Sequence, residues 1–428
     1  MTDSELQLEN NNKSTGVKSL INFGWIDFSA ADMRRVKDAL AAMNSGSIDE
    51  LGIAIIRDGF ADRLFPGFNV AQTSLKYFLL IPAMLKDIEL SFRSEIIKES
   101  SKDNNESNLF RLIRQKLIAL ECKFCDEACT VAKADTTNII GNDTANSDIK
   151  PEKRLVRFPH DIYWHGLYTF GLVGEPDMRT YIRNLKARFS QEKYTRGHIL
   201  NYWKKFFPYD NPDDFLVVQE QKTPLQLTNK EEEFLRGKIK EAIRGKNTLL
   251  EKVMDANISL PSENKAAAIA EVLNNYGLDD AGKAAQFALY MRCAFLGFNI
   301  AYFRGDSEKV DNFLREINDL KNNIGTFDLK FLESIADEFH YRQKKATVLK
   351  AMKNYFELLD EDFTADKIQE KMIQWEKAAK GPKAYLEKST PTDKETWRGM
   401  KYLDFRLETA LKLFGDQRRN SQGSVNEQ

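Results

Sequence analysis

The residues best suited to chemistry near the start of the chain are carboxylates within a predicted helix at 48–63, just before the turn predicted at Pro66-Gly67. They are Asp49, Glu50, Asp58 and Asp62. Carboxylates that gather around a common centre hold divalent metal ions, so one interpretation is a metal-dependent nuclease. The same carboxylates can pair with neighbouring arginines or cap helix ends. The sequence favours this second, structural interpretation.

The strongest signal for nucleic-acid binding is a local excess of cations at 178–207, where eight basic residues face one acid, Glu192. Three of them have the i, i+4 and i+7 spacing that forms one basic stripe on a helix, and interleaved aromatic residues could stack on bases or fill a core. We predict contact with DNA or RNA here. The predicted residues are Arg179, Arg183, Lys186, Arg188, Lys193, Arg196, Lys204 and Lys205.

A further group could bind a ligand or a partner protein. It consists of two arginines beside the carboxylates, a glutamine-threonine pair after the turn, and an arginine with two aromatic residues in the segment at 157–167. Arginine supplies a fixed charge and the aromatic rings supply stacking surface. The residues are Arg57, Arg63, Gln72, Thr73, Arg157, Tyr163 and Trp164. For the aromatic pair, the sequence favours a role in the core.

Three of the four cysteines, Cys122, Cys125 and Cys129, lie in a predicted helix at 109–131. Their spacing places them on one face, where a buried cysteine behaves as a small hydrophobic residue. A zinc site would need a fourth ligand, and no second CxxC follows at zinc-finger spacing. His160 and His165 are five residues apart, which does not fit a metalloprotease helix, and a lone neutral histidine is usually structural. The sequence therefore predicts no metal and no cofactor.

The composition is that of a globular protein: of 428 residues, 42% are hydrophobic and 30% are charged. Because 63 basic residues balance 64 acidic ones, any phosphate-binding surface must be local. Four cysteines do not make a disulfide framework, and residues 1–20 lack a signal-peptide core, which predicts a cytoplasmic protein. The apolar segment at 284–303 is long enough to span a bilayer, but its central Arg292 predicts a buried helix and no membrane association.

Helical spacing recurs at 30–43, 48–63, 77–90 and 109–131, and helices dominate from 225 onward. We predict a mostly α fold of several subdomains, with room for a few short strands in its N-terminal half. The predicted organisation is a disordered tail at 1–20, an N-terminal helical block at 21–150, an aromatic and basic middle region at 151–223, a helical C-terminal domain at 224–416 and a disordered tail at 417–428.

Several segments carry a resemblance to a known family. They are FGWIDFS at 23–29, DELGIAIIRDGFADRLFPG at 49–67, a glutamine-threonine pair before YFLLIP at 77–82, NIIG at 138–141, RFPHDIYWHGL at 157–167, PLQLTNKEEEFLRGKI at 224–239, AAQFALYMRCAFLGFNIAYF at 284–303 and TWRGMKYLDFRLETA at 396–410. On these segments the chain resembles a bacterial domain family of unknown function. Members of that family are encoded in phage-defence islands beside helicases and phospholipase D-like proteins.

The resemblance implies a non-catalytic component of a multi-protein anti-phage defence system, which binds nucleic acid, a helicase or phospholipase D-like partner, or both. The competing hypothesis is an unrecognised enzyme, with the N-terminal carboxylates as a nuclease site. Two features depart from the family pattern. Phe68 and Asn69 replace threonine and serine after LFPG, and Ser74 replaces an arginine, so a ligand at these positions would be contacted differently.

Overall fold

The computed structural model describes residues 51–101, 106–133, 136–190, 194–209, 224–255, 279–324, 344–387 and 409–414, except for single residues inside these ranges, and a few positions between 327 and 332. All regular structure in these ranges is helical, and they contain no strand. The prediction of a mostly α fold is confirmed. The tails predicted at 1–20 and 417–428 and the helix predicted at 30–43 lie outside the described residues.

The N-terminal helices are α1 (Ala54–Leu64), α2 (Tyr77–Ser91), α3 (Arg93–Ser100) and α4 (Glu106–Ala132). α2 is buried on almost all sides, which fits its apolar sequence, and it packs against α4. The helix predicted at 48–63 starts later than expected. Gly52 has φ +70°, a left-handed conformation through which a helix cannot continue, and α1 begins after it.

Four helices make up the described part of the middle region: α5 (Pro151–Arg154), α6 (Pro159–Thr169), α7 (Met178–Phe189) and α8 (Arg196–Trp203). Proline occupies the first position of α5 and α6, where its missing N–H is not needed. Asp177 caps α7, because its side chain accepts a hydrogen bond from the backbone N–H of Thr180 at 2.8 Å. α7 packs against α3 and α4, and α8 packs against α2.

The C-terminal helices are α9 (Asn229–Ile243), α10 (Leu249–Asp255), α11 (Asp279–Tyr302), α12 (Ser307–Ile324), α13 (Lys344–Asp360) and α14 (Ala365–Lys380). A capping box starts α9, because Thr228 Oγ1 accepts from the backbone N–H of Glu231 and Glu231 Oε2 accepts from that of Thr228. α11 packs against α12 and α14, and α13 packs against α14. The C-terminal part is therefore a bundle of long helices around α11.

The apolar segment at 284–303 forms most of α11, as the sequence predicts, and the helix ends one residue before the segment does, at Tyr302. Arg292 reaches the neighbouring helix α12, where its Nε donates a hydrogen bond to Glu316 Oε1 at 3.0 Å. In the part of the chain that the structure describes, no helix is both long enough and apolar enough to cross a membrane.

One continuous hydrophobic core includes buried residues from the N-terminal, middle and C-terminal regions. The ring centroids of Phe68 and Phe414 are 6.0 Å apart. The indole Nε1 of Trp375 in α14 donates a hydrogen bond to the backbone oxygen of Leu51 at 2.8 Å. These contacts join residues that are more than 300 positions apart in the sequence. The three regions thus share a core, and the domain boundaries at 150 and 223 stay a prediction.

Candidate nucleic-acid interface

The basic stripe predicted at the start of the 178–207 segment lies on α7. The apolar side of this helix is fixed in the core by Tyr181, Ile182 and Leu185, all of which are buried. Residues on the other side must therefore face solvent. Arg179 and Arg183 are exposed, and Lys186 is half-buried.

α8 adds three further cations. Ile199 and Trp203 bury its inner side, while Arg196 at its first position and Lys204 and Lys205 after its last are exposed. The described residues 178–190 and 194–209 contain no acid. We call the six cations that lie on the outer sides of α7 and α8 the basic face: Arg179, Arg183, Lys186, Arg196, Lys204 and Lys205. Lys193, also predicted to bind nucleic acid, lies outside the described residues.

Arg188 differs from these cations because its side chain points into the core. Its Nη2 donates a hydrogen bond to Glu89 Oε1 at 3.1 Å, and the Tyr181 hydroxyl donates to the same oxygen at 2.7 Å. Its guanidinium carbon lies 3.6 Å from the centroid of the Tyr202 ring, a cation–π contact. Burial raises the pKa of Glu89, and the nearby Arg188 opposes this rise. The charge of Arg188 is thus compensated inside the protein by Glu89, and we do not include Arg188 in the basic face.

Two buried glutamates belong to this network, and the sequence does not single them out. Glu89 is the partner of Arg188, and Glu175 accepts hydrogen bonds from the Tyr202 hydroxyl at 3.0 Å and from Asn184 Nδ2 at 3.3 Å. For Glu89, the sequence does contain a signal that could have predicted a buried partner, because this carboxylate lies in the apolar sequence of α2. A carboxylate there needs a cation or a hydrogen-bond donor, and Arg188 is the basic residue of α7 that falls on its apolar side.

The aromatic residues interleaved with the cations fill the core. Tyr181, Phe189, Tyr194 and Trp203 are buried, and the ring centroids of Phe189 and Tyr194 are 4.7 Å apart. Tyr202 is half-buried and is engaged by Arg188 and Glu175. These rings hold α7 and α8 against the rest of the protein. The outer sides of the two helices therefore present charge rather than stacking surface.

The glutamine-threonine pair is placed in a network of internal hydrogen bonds. Gln72 is buried, and its Nε2 donates to the backbone oxygen of Gly67 at 3.1 Å. Thr73 Oγ1 donates to the backbone oxygen of Asn138 at 2.7 Å. The Tyr163 hydroxyl accepts from the backbone N–H of Thr73 at 2.8 Å. The pair thus fixes the turn before α2, and its ligand-binding role stays a prediction.

The two aromatic residues of α6 are also internal, in line with the core role that the sequence favours. Tyr163 and Trp164 are buried, and Trp164 Nε1 donates to the backbone oxygen of Glu175 at 3.1 Å. Arg157, from the same predicted ligand site, is exposed. Two of the three positions that depart from the family pattern are structural too, because Phe68 is buried and Asn69 Nδ2 donates to the backbone oxygen of Ile162 at 2.7 Å.

The carboxylates proposed for a nuclease site are only partly described. Asp49 and Glu50 lie outside the described residues. Asp58 accepts a hydrogen bond from Arg57 Nε at 3.0 Å, and Asp62 is half-buried on the same helix. The second arginine, Arg63, pairs with Asp280 of α11 at 3.2 Å. No group of three or more metal-ligating side chains that could hold a metal ion occurs among the described residues.

The three clustered cysteines share one side of α4, as predicted. Cys122 and Cys125 are buried, and Cys129 is half-buried. Burial raises the pKa of Cys122 to about 11 and that of Cys125 to about 12. These two side chains are therefore neutral thiols at pH 7, whereas a cysteine nucleophile reacts as the thiolate.

Comparison with known proteins identifies the family and gives no activity. No curated protein matches the chain, and no solved structure matches it. A model of a family of unknown function, DUF6361, matches residues 20–300, which include the turn before α2, the basic face and most of α11. The chain therefore belongs to the DUF6361 family.

Proposed function

We propose that the protein binds the phosphate backbone of DNA or RNA through the basic face. The observation that supports this most is the orientation of α7, whose apolar side is locked in the core so that Arg179, Arg183 and Lys186 lie on its outer side. Phosphate is the chemical group that a dense set of arginines and lysines recognises best.

The expected mode of binding follows from the absence of aromatic side chains among the six residues of the basic face. The aromatic rings of the segment are used in the core, so base stacking contributes little and recognition rests on charge. If all six cations contact phosphates of a duplex, the logarithm of the binding constant should fall with the logarithm of salt concentration with a slope of about −5. Binding should depend weakly on sequence, and because the chain as a whole is near-neutral, binding should depend on the basic face rather than on the overall charge.

We further propose that this binding serves a cytoplasmic, non-catalytic component of a multi-protein anti-phage defence system. The support is the family resemblance, which associates such chains with helicases and phospholipase D-like proteins. In that role the protein would bring a partner enzyme to nucleic acid. The enzymatic alternative is a metal-dependent nuclease built from Asp49, Glu50, Asp58 and Asp62.

The proposal is tested by salt-titrated binding of the full chain to single- and double-stranded DNA and RNA. The test variant carries Arg179→Glu, Arg183→Glu and Lys186→Glu. The matched control carries Lys230→Glu, Arg244→Glu and Lys246→Glu, which changes the net charge equally at exposed positions in and after α9, a helix where acids are interspersed. The expected result is a large loss of affinity and a shallower salt slope in the test variant alone.

Equal losses in both triple variants would contradict the proposed face, and so would an absence of salt-sensitive binding to all four nucleic acids. A second arm adds Mg²⁺ and follows cleavage of the substrate. Cleavage that requires Mg²⁺ and is lost in Asp58→Asn would support the nuclease alternative over the non-catalytic role.

A further inference from the structure

Residues 148–157 form a short surface segment around α5, which we call the 148–157 projection. Two of its aliphatic residues face solvent: Val156 is 98% exposed and Ile149 is 45% exposed. Leu155, between Val156 and the helix, packs against the buried Cys122 and Phe158. Leu155 has an extended backbone, with φ −128° and ψ 147°, so successive side chains alternate in direction. Because the side chain of Leu155 packs against the protein interior, the side chain of Val156 points into solvent.

The projection is braced from below by Arg154. Its Nη1 lies 2.8 Å from both carboxylate oxygens of Asp126 in α4, and its Nε and Nη2 donate to the backbone oxygens of Ile149 and Ser147 at 3.1 and 2.9 Å. The same Asp126 accepts from the backbone N–H of Asn146 at 2.7 Å. These hydrogen bonds fix the segment that carries the exposed aliphatic residues before any partner binds. The segment therefore loses less conformational entropy on binding.

The charges of the projection are mixed, and they are exposed. Lys150, Lys153 and Arg157 are basic, and Asp148 and Glu152 are acidic. Within the part of the chain that the structure describes, none of these five side chains has an ion-pair partner. The remaining charge of the segment, the half-buried Arg154, is used in the brace. The projection therefore combines two exposed aliphatic side chains with unpaired charges of both signs.

We propose that the 148–157 projection is a surface on which a second copy of this chain docks around a twofold axis. Such an interface is made of the same surface on both copies and so has to be complementary to itself. Here Ile149 and Val156 can meet at the axis, while the cations of one copy face the carboxylates of the other. A nucleic acid fits less well, because Asp148 and Glu152 would repel its phosphates.

The dimer should be weak. Stable complexes bury about 800 Å² per partner, and a ten-residue projection offers less, so association should appear only as the concentration rises through the micromolar range. This inference does not rest on the proposed nucleic-acid binding, because the two surfaces share no residue and the association needs only the protein itself.

The first test is sedimentation velocity of the full chain, without nucleic acid, from low to high micromolar concentration. The weight-average mass should rise from the monomer value of 49.2 kDa towards twice that value. Val156→Asp places two like charges at the axis, and we expect a loss of at least about tenfold in the association constant. Val70→Asp is the matched control, since Val70 is a valine that is 54% exposed at another site. Thermal unfolding of both variants verifies that they fold.

A charge-exchange experiment then tests the pairing itself. One variant makes the projection acidic with Lys150→Glu, Lys153→Glu and Arg157→Glu, and the other makes it basic with Asp148→Lys and Glu152→Lys. Each should be monomeric alone, and a mixture of the two should form a heterodimer. The proposal is overturned by a native protein that stays monomeric at every concentration, by Val156→Asp associating as strongly as the native chain, or by a mixture that stays monomeric.

Discussion

The Nδ1 atom of His160 lies 2.8 Å from one carboxylate oxygen of Glu121, and the backbone N–H of His160 donates to the other at 2.7 Å. Both side chains are buried. Burial acts to lower the pKa of His160, but the charges of Glu121 and Asp161 outweigh it, and the pKa is raised to about 9. This structural histidine is therefore charged at neutral pH, whereas a lone histidine in the sequence is normally expected to be neutral.

We predict that the His160–Glu121 pair stabilises the fold at neutral pH and loses this effect in alkaline solution. Because the pKa is raised in the folded state, the contribution is complete below the unfolded value of 6.5 and disappears as the pH rises through about 9. A shift of this size corresponds to about 3 kcal/mol. Urea denaturation of His160→Gln should show a free energy of unfolding lower by about that amount at pH 6.5.

The difference between native protein and His160→Gln should shrink steadily between pH 6.5 and 9. The buried thiols and tyrosines contribute equally to the pH dependence of unfolding in both proteins, so their contribution cancels in the difference between the two free energies of unfolding. His165→Gln, at an exposed position of the same helix, should behave like the native chain at every pH. A constant difference across the pH range would show that His160 is neutral in the folded protein.

Lys76 and Glu231 form a buried ion pair at 2.6 Å that joins the start of α2 to the start of α9. Lys76→Met should lower the free energy of unfolding by about 3 kcal/mol, because it leaves Glu231 as an uncompensated buried charge. In Lys76→Met/Glu231→Met the loss should be smaller than the sum of the two single losses. A double-mutant cycle in urea measures this coupling, and strictly additive losses would contradict a direct interaction.

The helices and the basic stripe could be predicted from the sequence because they depend on local periodicity. The i, i+4, i+7 spacing of Arg179, Arg183 and Lys186 directly reports a helical face. The position of Arg188 could not be predicted in the same way, since it depends on Glu89, a residue 99 positions earlier that only the packing of α2 brings near. A long-range hydrogen bond likewise accounts for Thr73, whose partner Asn138 is 65 positions away, whereas Gln72 bonds to Gly67 within the same turn.

Arg183 and Arg188 are five residues apart on α7. Substitution of Arg183 should weaken nucleic-acid binding and leave stability unchanged, and substitution of Arg188 should do the reverse. Arg183→Met removes an outer charge, so the salt slope of nucleic-acid binding should fall by about 1 while stability changes by less than about 0.5 kcal/mol. Arg188→Met leaves Glu89 buried without its cation and should lower the free energy of unfolding by about 3 kcal/mol. The salt slope of Arg188→Met, measured where it is still folded, should equal that of the native protein. A reduced slope in Arg188→Met would place its guanidinium on the nucleic acid instead.

The hydroxyl of Tyr163 supports the turn before α2 through three hydrogen bonds. It accepts from the backbone N–H groups of Thr73 and Ser74 at 2.8 and 3.0 Å, and it donates to the backbone oxygen of Ser74 at 2.9 Å. Tyr163→Phe removes the partner of all three groups, and each buried polar group that loses its partner costs about 1 to 3 kcal/mol. We expect a loss of about 3 kcal/mol in the free energy of unfolding.

Tyr168→Phe is the matched control, because the same atom is removed from the same helix at a side chain that is 45% exposed. Its stability should equal that of the native chain. Hydrogen exchange distinguishes a local effect from a global one, since the amides of Thr73 and Ser74 should lose protection in Tyr163→Phe before those of α7 do. If Tyr163→Phe and Tyr168→Phe were equally stable, the hydroxyl would not hold this turn. The glutamine-threonine segment would then be available for the ligand contact that its sequence first suggests.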